Sequence, residues 1–390
     1  MLVVDVILIA ILIAAVVSGL MRGFFASIGT LIGLIAGAAA ALWLVPLLAS
    51  FIPAPGWRAF TTVAASIAFL ALGSWAGSAL GLLVRRGVDR TPLRPVERLF
   101  GGVASLVIAA LTVSLVGSAI AAVGIPTVSS AVASSRVLNT IENLTPEPVA
   151  AGIAQLRADV LDGGLPSLGL ALPGTTTATQ PPVALDDPAL ATAAQSVARI
   201  SGTAYACGMN VTGTGFVIAA GRLITNAHVV AGVDRPMVEL PGRTAREGRV
   251  VYFDPNKDLA IVSVPGLDAA PLRLVAPLQP GASAVAEGYP YGGPFTVTPA
   301  RVLSTGDVSV PNIYNNGDSV RSVYALEAGV KPGNSGGPLL TAQGTVAGLV
   351  FARDEKDASR GYAETTDELA PIVRQAESLQ TPVASTRCTG

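Results

Sequence analysis

Histidine is almost missing from this chain: a single one, His228, stands among 390 residues, and only two cysteines, Cys207 and Cys388, accompany it. One imidazole and two distant thiols do not make a structural zinc site, so neither a metal nor any other cofactor is expected. Charge is scarce as well. Charged residues make up 13% of the chain, where an ordinary soluble domain has about 25%. The net charge of −1 leaves no basic face for a phosphate backbone, which sets nucleic-acid partners aside. A mean hydropathy of +0.58 requires part of the chain to sit in a non-aqueous phase.

That part is the N-terminal third. Apolar stretches run over Leu2–Leu20, Phe24–Leu48, Phe60–Val84 and Leu99–Val123, each near the roughly 20 residues that span a hydrocarbon core. Four such stretches, nearly without charge, cannot all be covered inside one soluble core. The first lacks a positive leader and three more follow it, so it reads as a retained helix and not a signal peptide; Asp5 is close enough to its end to reach the interface. Gly33, Gly37, Ala38 and Ala39 in the second stretch, with Gly73, Gly77 and Gly81 in the third, allow close helix packing. Arg85, Arg86, Arg90, Arg94 and Arg98 gather between stretches three and four, against Arg58 alone between two and three. The arginine-rich loop, and with it Arg22, therefore falls on the cytoplasmic side, and everything after Val123 outside, on the periplasmic side of a multi-pass membrane protein. Asp5, the run Met21-Arg22-Gly23-Phe24 and the four-span layout resemble the colicin V production proteins over about the first 120 residues, a resemblance that brings no chemistry with it.

Three regions follow: a four-span transmembrane bundle over 1–124, a flexible Pro/Thr/Ala-rich linker over 125–190, and a second domain over 191–390. The linker culminates in Pro173-Gly174-Thr175-Thr176-Thr177-Ala178-Thr179-Gln180-Pro181-Pro182, which buries too little apolar surface to offset ordering entropy. Helical patches are expected at Val149–Val160 and Pro188–Ile200. After Ser201 the periodicity turns to short β-rich runs, at Gly215–Ile218, Arg222–Thr225, Leu259–Val264, Ala282–Ala286 and Thr345–Val350, which argue for an all-β domain. Thr366–Leu379, acidic in its first turn, reads as one closing helix.

The chemistry gathers in three short motifs. Thr225-Asn226-Ala227-His228 places the lone imidazole just after an apolar run, and Asn256-Lys257-Asp258-Leu259 sets a carboxylate at the mouth of a strand. Pro332-Gly333-Asn334-Ser335-Gly336-Gly337-Pro338 puts a serine among glycines, where Oγ can project from a tight turn and backbone N–H groups can converge on a carbonyl oxygen. Each of the first two has a bland structural reading when taken alone. Together with the third, in the order His, Asp, Ser, they fit the chain order of chymotrypsin-class proteases.

Residues 200–375 resemble the chymotrypsin-like serine proteases, closest to the bacterial HtrA (Deg) branch, through Thr214-Gly215-Phe216-Val217, Thr225–His228, Asp258-Leu259-Ala260, Gly288-Tyr289-Pro290-Tyr291-Gly292, Pro332–Leu340 and Gly361-Tyr362-Ala363. The resemblance implies a double β-barrel of six strands each, a catalytic triad of His228, Asp258 and Ser335 in the cleft, and an oxyanion hole from the N–H groups of Gly333 and Ser335. Gly329 stands where a trypsin-type enzyme needs an acid, so an apolar P1 side chain is expected, walled by the residues before Ser335 and by Leu349-Val350-Phe351-Ala352. Only a short tail follows the last helix, so PDZ-gated regulation is not carried over. The combination with the membrane bundle resembles the mycobacterial acid-resistance periplasmic proteases and their actinobacterial relatives, implying a role in acid or oxidative stress. Protein or peptide substrates outside the cytoplasm are the expected partners, with the lipid bilayer. Self-cleavage is expected within 125–198, and in an oxidising exterior Cys207 and Cys388 are expected to pair, two free thiols being the alternative. A peptide-binding sensor or scaffold that signals through the bundle is the competing function. A transporter reading lacks a midspan ionisable pair.

Overall fold

The computed structural model describes residues 2–50, 55–88, 94–122, 135–146, 148–149, 152, 166–170, 172, 182–204, 209–385 and 387–389. These fall into two compact units, Leu2–Val116 and Gly117–Gly390.

The first unit is built from α1 (Leu2–Arg22), α2 (Phe24–Ser50), α3 (Pro55–Val88) and the greater part of α4 (Arg94–Ala122). Among the described residues three windows are long and apolar enough to cross a membrane, Val4–Arg22, Phe24–Ala41 and Pro95–Ser114, and α3 covers the remaining expected stretch. Large apolar side chains such as Ile7, Ile13, Trp75, Leu80 and Phe100 stand exposed on these helices, as on segments covered by lipid rather than by protein. The small residues act as their spacing predicts. A Cβ on Gly33 would lie 2.0 Å from Gly73 O, and one on Gly77 would lie 2.0 Å from Gly29 O, so the α2 and α3 backbones meet directly. Arg85 differs from the free loop charge expected of it. It is buried, and Nη1 donates to Met21 O at 2.8 Å and Arg22 O at 2.5 Å, covering the last carbonyls of α1.

In the second unit the linker is not bare: it holds α5 (Arg136–Leu144) and a two-residue strand, β1 (Ser167–Leu168). Most of 150–160 and the run 173–181 lie outside the described residues. The expected helix from Pro188 is shorter than its periodicity suggests. α6 (Pro188–Ala194) opens on Asp187, whose Oδ1 accepts from Ala189 N at 2.8 Å. It stops because the following Val197–Ala204 is recruited as β2, paired on both sides.

One sheet holds β2, β3 (Met209–Ala219), β4 (Arg222–Thr225), β5 (Met237–Glu239), β6 (Arg246–Glu247), β7 (Arg249–Asp254) and β8 (Leu259–Ser263), in the order β6-β5-β2-β3-β4-β8-β7. Gly248 alone separates β6 from β7, so the sheet curls until its two ends meet in the chain. The other holds β9 (Ser283–Gly288), β10 (Thr296–Pro311), β11 (Asp318–Glu327), β12 (Pro338–Leu340), β13 (Val346–Asp354) and β14 (Arg360–Thr365), in the order β1-β13-β12-β9-β10-β11-β14, with β13 also paired to β14. Each sheet has its own apolar interior. A third cluster joins Val197, Phe216 and Ile224 of the first to Val285, Leu340 and Phe351 of the second. That shared core fixes the two half-barrels against one another and so fixes whatever side chains meet at their seam. The closing helix, α8 (Thr366–Val373), is also shorter than expected: Pro371 removes one N–H from it, and the chain tightens into a 3-10 turn at Ala376–Ser378.

Candidate active site

His228 sits in a single helical turn, α7 (Ala227–Val230), immediately after β4. Asp258 stands at the start of β8, in the left-handed region with φ 53°, a conformation that a non-glycine residue keeps only when its surroundings enforce it. Its three oxygens grip α7. The backbone carbonyl accepts from Ala227 N at 3.1 Å and from Asn226 Nδ2 at 2.9 Å. Oδ1 accepts from His228 N at 2.9 Å, and Oδ2 lies 2.8 Å from His228 Nδ1. An ionised carboxylate only accepts, so Nδ1 carries the hydrogen and Nε2 presents its lone pair.

The serine turn is held from both sheets. Gly336 N donates to Val350 O at 2.8 Å and Val350 N to Gly337 O at 2.9 Å, which seats the turn on β13. From β3, Thr214 N donates to Ser335 O at 2.8 Å and Thr214 Oγ1 to Gly333 O at 2.7 Å. Gly333 and Gly336 have φ of 93° and 82°, and a Cβ on Gly336 would stand 2.1 Å from Thr214 O, so both positions require glycine. The N–H groups of Gly333 and Ser335 make no hydrogen bond among the described residues, which leaves them open to an incoming oxygen. Ser335 Oγ donates to Phe351 O at 3.4 Å. No hydrogen bond joins it to His228 among the described residues, and such bonds often tighten only when substrate is present.

Beyond Phe351 the same edge of β13 is met by β1, which runs parallel to it: Arg353 N donates to Pro166 O at 3.1 Å and Glu355 N to Leu168 O at 3.2 Å. Cys388 lies against Gly232 and is not a free thiol. Cys207 lies outside the described residues.

Two residues escaped sequence reasoning. Thr214 was legible only as part of a motif, yet it carries the bonds that join β3 to the serine turn. Glu287, on β9, is 1% exposed and neither carboxylate oxygen has a partner among the described residues. Burial pushes its pKa up to about 8, so the folded chain holds this proton where the unfolded chain, near 4.5, has released it. Stability is then greatest below about pH 4.5 and falls as pH rises toward 8, by on the order of 4 kcal/mol from this group. In urea titrations at pH 5 and pH 8, Glu287→Gln should lose most of that difference; an unchanged slope would mean that the carboxyl finds a partner.

Comparison with known proteins agrees with this geometry. Residues 213–349 match the trypsin-like peptidase domain and residues 4–146 the colicin V production protein. Over 360 residues the chain is 34% identical to serine protease Rv3671c of Mycobacterium tuberculosis, an alignment covering 91% of this chain and 90% of that one. A probable periplasmic DegP-like serine endoprotease of Hahella chejuensis is 36% identical over 170 residues, 42% of this chain and 35% of its own length. The crystal structure of the Rv3671c protease in its active form superposes with a TM-score of 0.54 at 37% identity, over 58% of this chain and 100% of that one. Fold, motifs and relatives define a serine endopeptidase. The chain belongs to the family of trypsin-like serine proteases that carry a colicin V production domain, with the mycobacterial Rv3671c as a fellow member.

Proposed function

We propose that the protein is a membrane-anchored endopeptidase acting outside the cytoplasm, with His228, Asp258 and Ser335 as its triad and the N–H groups of Gly333 and Ser335 as its oxyanion hole. The observation that carries this reading is the double grip of the Asp258 carboxylate on His228. Asp258 keeps the hydrogen on Nδ1, so Nε2 accepts the Ser335 proton as Oγ attacks the peptide carbonyl carbon. The C=O electron pair moves onto oxygen and is stabilised by the two N–H groups. As the tetrahedral species collapses, His228 passes its proton to the departing amine and an acyl-enzyme remains; water then repeats the sequence and releases the acid. Ser335 Oγ must leave Phe351 O for this, and the N–H of an arriving peptide competes for the same carbonyl. A fluorophosphonate probe should label the wild-type chain and not Ser335→Ala. A domain that only binds peptides would label in neither.

On this reading each seven-stranded sheet forms a β-barrel of six strands, β6 and β7 counting as one across Gly248 in the first and β1 adding to the edge of β13 in the second; α1–α4 are four spans, and the enzyme serves in acid or oxidative stress. Gly329 stands where a trypsin-type enzyme needs an acid, and an apolar P1 residue is inferred from that alone. Cys207 and Cys388 pair outside the cell. A membrane-impermeant maleimide should therefore label intact cells only after reduction. Labelling without reductant would remove the disulfide, and labelling that needs permeabilised cells would remove the location.

Self-cleavage within 125–198 completes the proposal. Leu168, Leu170 and Leu172 pack against the domain core, which makes that stretch a poor entrant into the cleft and favours cuts elsewhere in the linker. Immunoblots of membrane and soluble fractions should show shorter products in wild type and none in Ser335→Ala; equal products in both would assign the cut to another protease.

A further inference from the structure

The turn that carries Asp258 belongs by chain to the first sheet, yet it is fastened residue by residue to the second. Ile313 N donates to Pro255 O at 3.2 Å. Ser319 Oγ donates to Asn256 O at 2.6 Å, and Asn312 Nδ2 to Asn256 Oδ1 at 3.2 Å. Lys257 Nζ donates to Val320 O at 2.9 Å and to Glu368 Oε2 at 2.8 Å, while the other oxygen of Glu368 accepts from Ser322 N at 2.9 Å. Asp254, on the near side, accepts from Asn256 N and Lys257 N of the turn at 2.9 and 3.0 Å and from the Tyr252 hydroxyl of β7 at 3.3 Å. The next residue is Asp258, with its left-handed backbone and its carboxylate on His228.

We propose that Lys257 and Glu368 are positioning residues, an ion-pair clamp across the seam of the two sheets that holds the Asp258 turn in the strained backbone conformation from which its carboxylate meets the backbone N and Nδ1 of His228. The clamp rests on the triad reading above and deepens it: the second sheet then supplies the nucleophile and also the posture of the acid that orients the base. Among the described residues no hydrogen bond or ion pair joins Lys257 or Glu368 to the serine turn. The pair is partly exposed, with side-chain accessibilities of 38% and 17%, and a pair of that kind contributes little to folding. Its presence at this turn is therefore better accounted for by geometry than by stability, since small displacements of a catalytic group are costly in rate.

The test uses the full-length chain in detergent, with labelled casein hydrolysis and the rate of fluorophosphonate labelling as readouts, for Lys257→Met, Glu368→Gln, the double variant and Lys257→Arg. In both single variants kcat should fall about tenfold and labelling slow to match, with KM within about twofold. The thermal midpoint should move by no more than about 3 °C. The double variant should lose no more than either single, as expected for two halves of one interaction, and Lys257→Arg should regain most of the rate. Unchanged kcat in both single variants, losses that multiply in the double variant, or a fall in kcat that tracks a large loss of thermal stability would each overturn the clamp. Asp258→Asn and Ser335→Ala run alongside: if these two remain active the triad reading itself fails, and if they are inactive while the clamp variants are normal only the clamp fails.

Discussion

Ser335→Ala should lower kcat by about 10⁶-fold, and His228→Ala by a similar factor, with the double variant little worse than either, because the two groups act as one unit. Asp258→Asn should cost about 10⁴-fold. The asparagine amide would present a donor or a weaker acceptor where Oδ2 now meets Nδ1 at 2.8 Å, releasing the imidazole to adopt the other tautomer. KM should change far less than kcat, since none of the three side chains supplies the strand edge that would hold an extended peptide. The measurement is casein hydrolysis normalised to folded protein. Residual activity in Ser335→Ala within tenfold of wild type would sink the assignment.

Arg321→Met should be the most destabilising single change in the protease unit. Arg321 and Glu364 are 1% and 0% exposed. Nη1 meets Glu364 Oε1 at 3.0 Å, Nη2 donates to Pro311 O at 3.1 Å, Nε donates to Ser319 Oγ at 3.1 Å, and the guanidinium lies 5.7 Å from the Phe351 ring centre. Removing the arginine leaves a carboxyl group in the interior, at a cost of about 3–5 kcal/mol, or about 6–20 °C in thermal midpoint for a domain of this size. Burial already pushes the Glu364 pKa up, opposed by Arg321 and assisted by the charge of Asp258. The penalty should therefore shrink toward acid pH, where the orphaned carboxyl can stay neutral. Replacing both partners together, Arg321→Met with Glu364→Leu, should recover most of the loss. A single variant as stable as wild type at pH 8 would mean that water or another donor reaches Glu364.

The three motifs were legible because each is a short run of residues, with Gly333, Gly336 and Gly337 beside Ser335 and Asn226 beside His228, although α7 is held by Asp258 and the serine turn by β3 and β13. The helical N-terminal third was legible from its unbroken apolar runs. The hairpin of β10 and β11 was not read, since polar residues such as Ser304, Asp307 and Ser309 blur its alternation. The signal lay in Asn315-Asn316-Gly317, a turn sequence in which Asn315 takes φ 53°. The helix from Pro188 was overextended because alanines continue its pattern, whereas the pairing of Val197–Ala204 with β3 and β5 is decided by partners distant in the chain. Lys257 with Glu368, and Arg321 with Glu364, are pairings of that same kind. Read in sequence, each is an ordinary charge beside a strand or at a helix start.

His228 is the one imidazole in 390 residues, and its Nδ1 meets the carboxylate of Asp258. The chain thus carries its own reporter. In protein labelled with ¹⁵N at histidine alone, every ring resonance comes from the site, with no assignment step and no background from elsewhere. The bond from Nδ1 to Asp258 should appear as a single low-field proton that disappears in Asp258→Ala. Probe acylation of Ser335, arrival of a peptide, or a lapse in the seam at Lys257 would each be read at the same two nitrogens, on the intact chain and in its lipid.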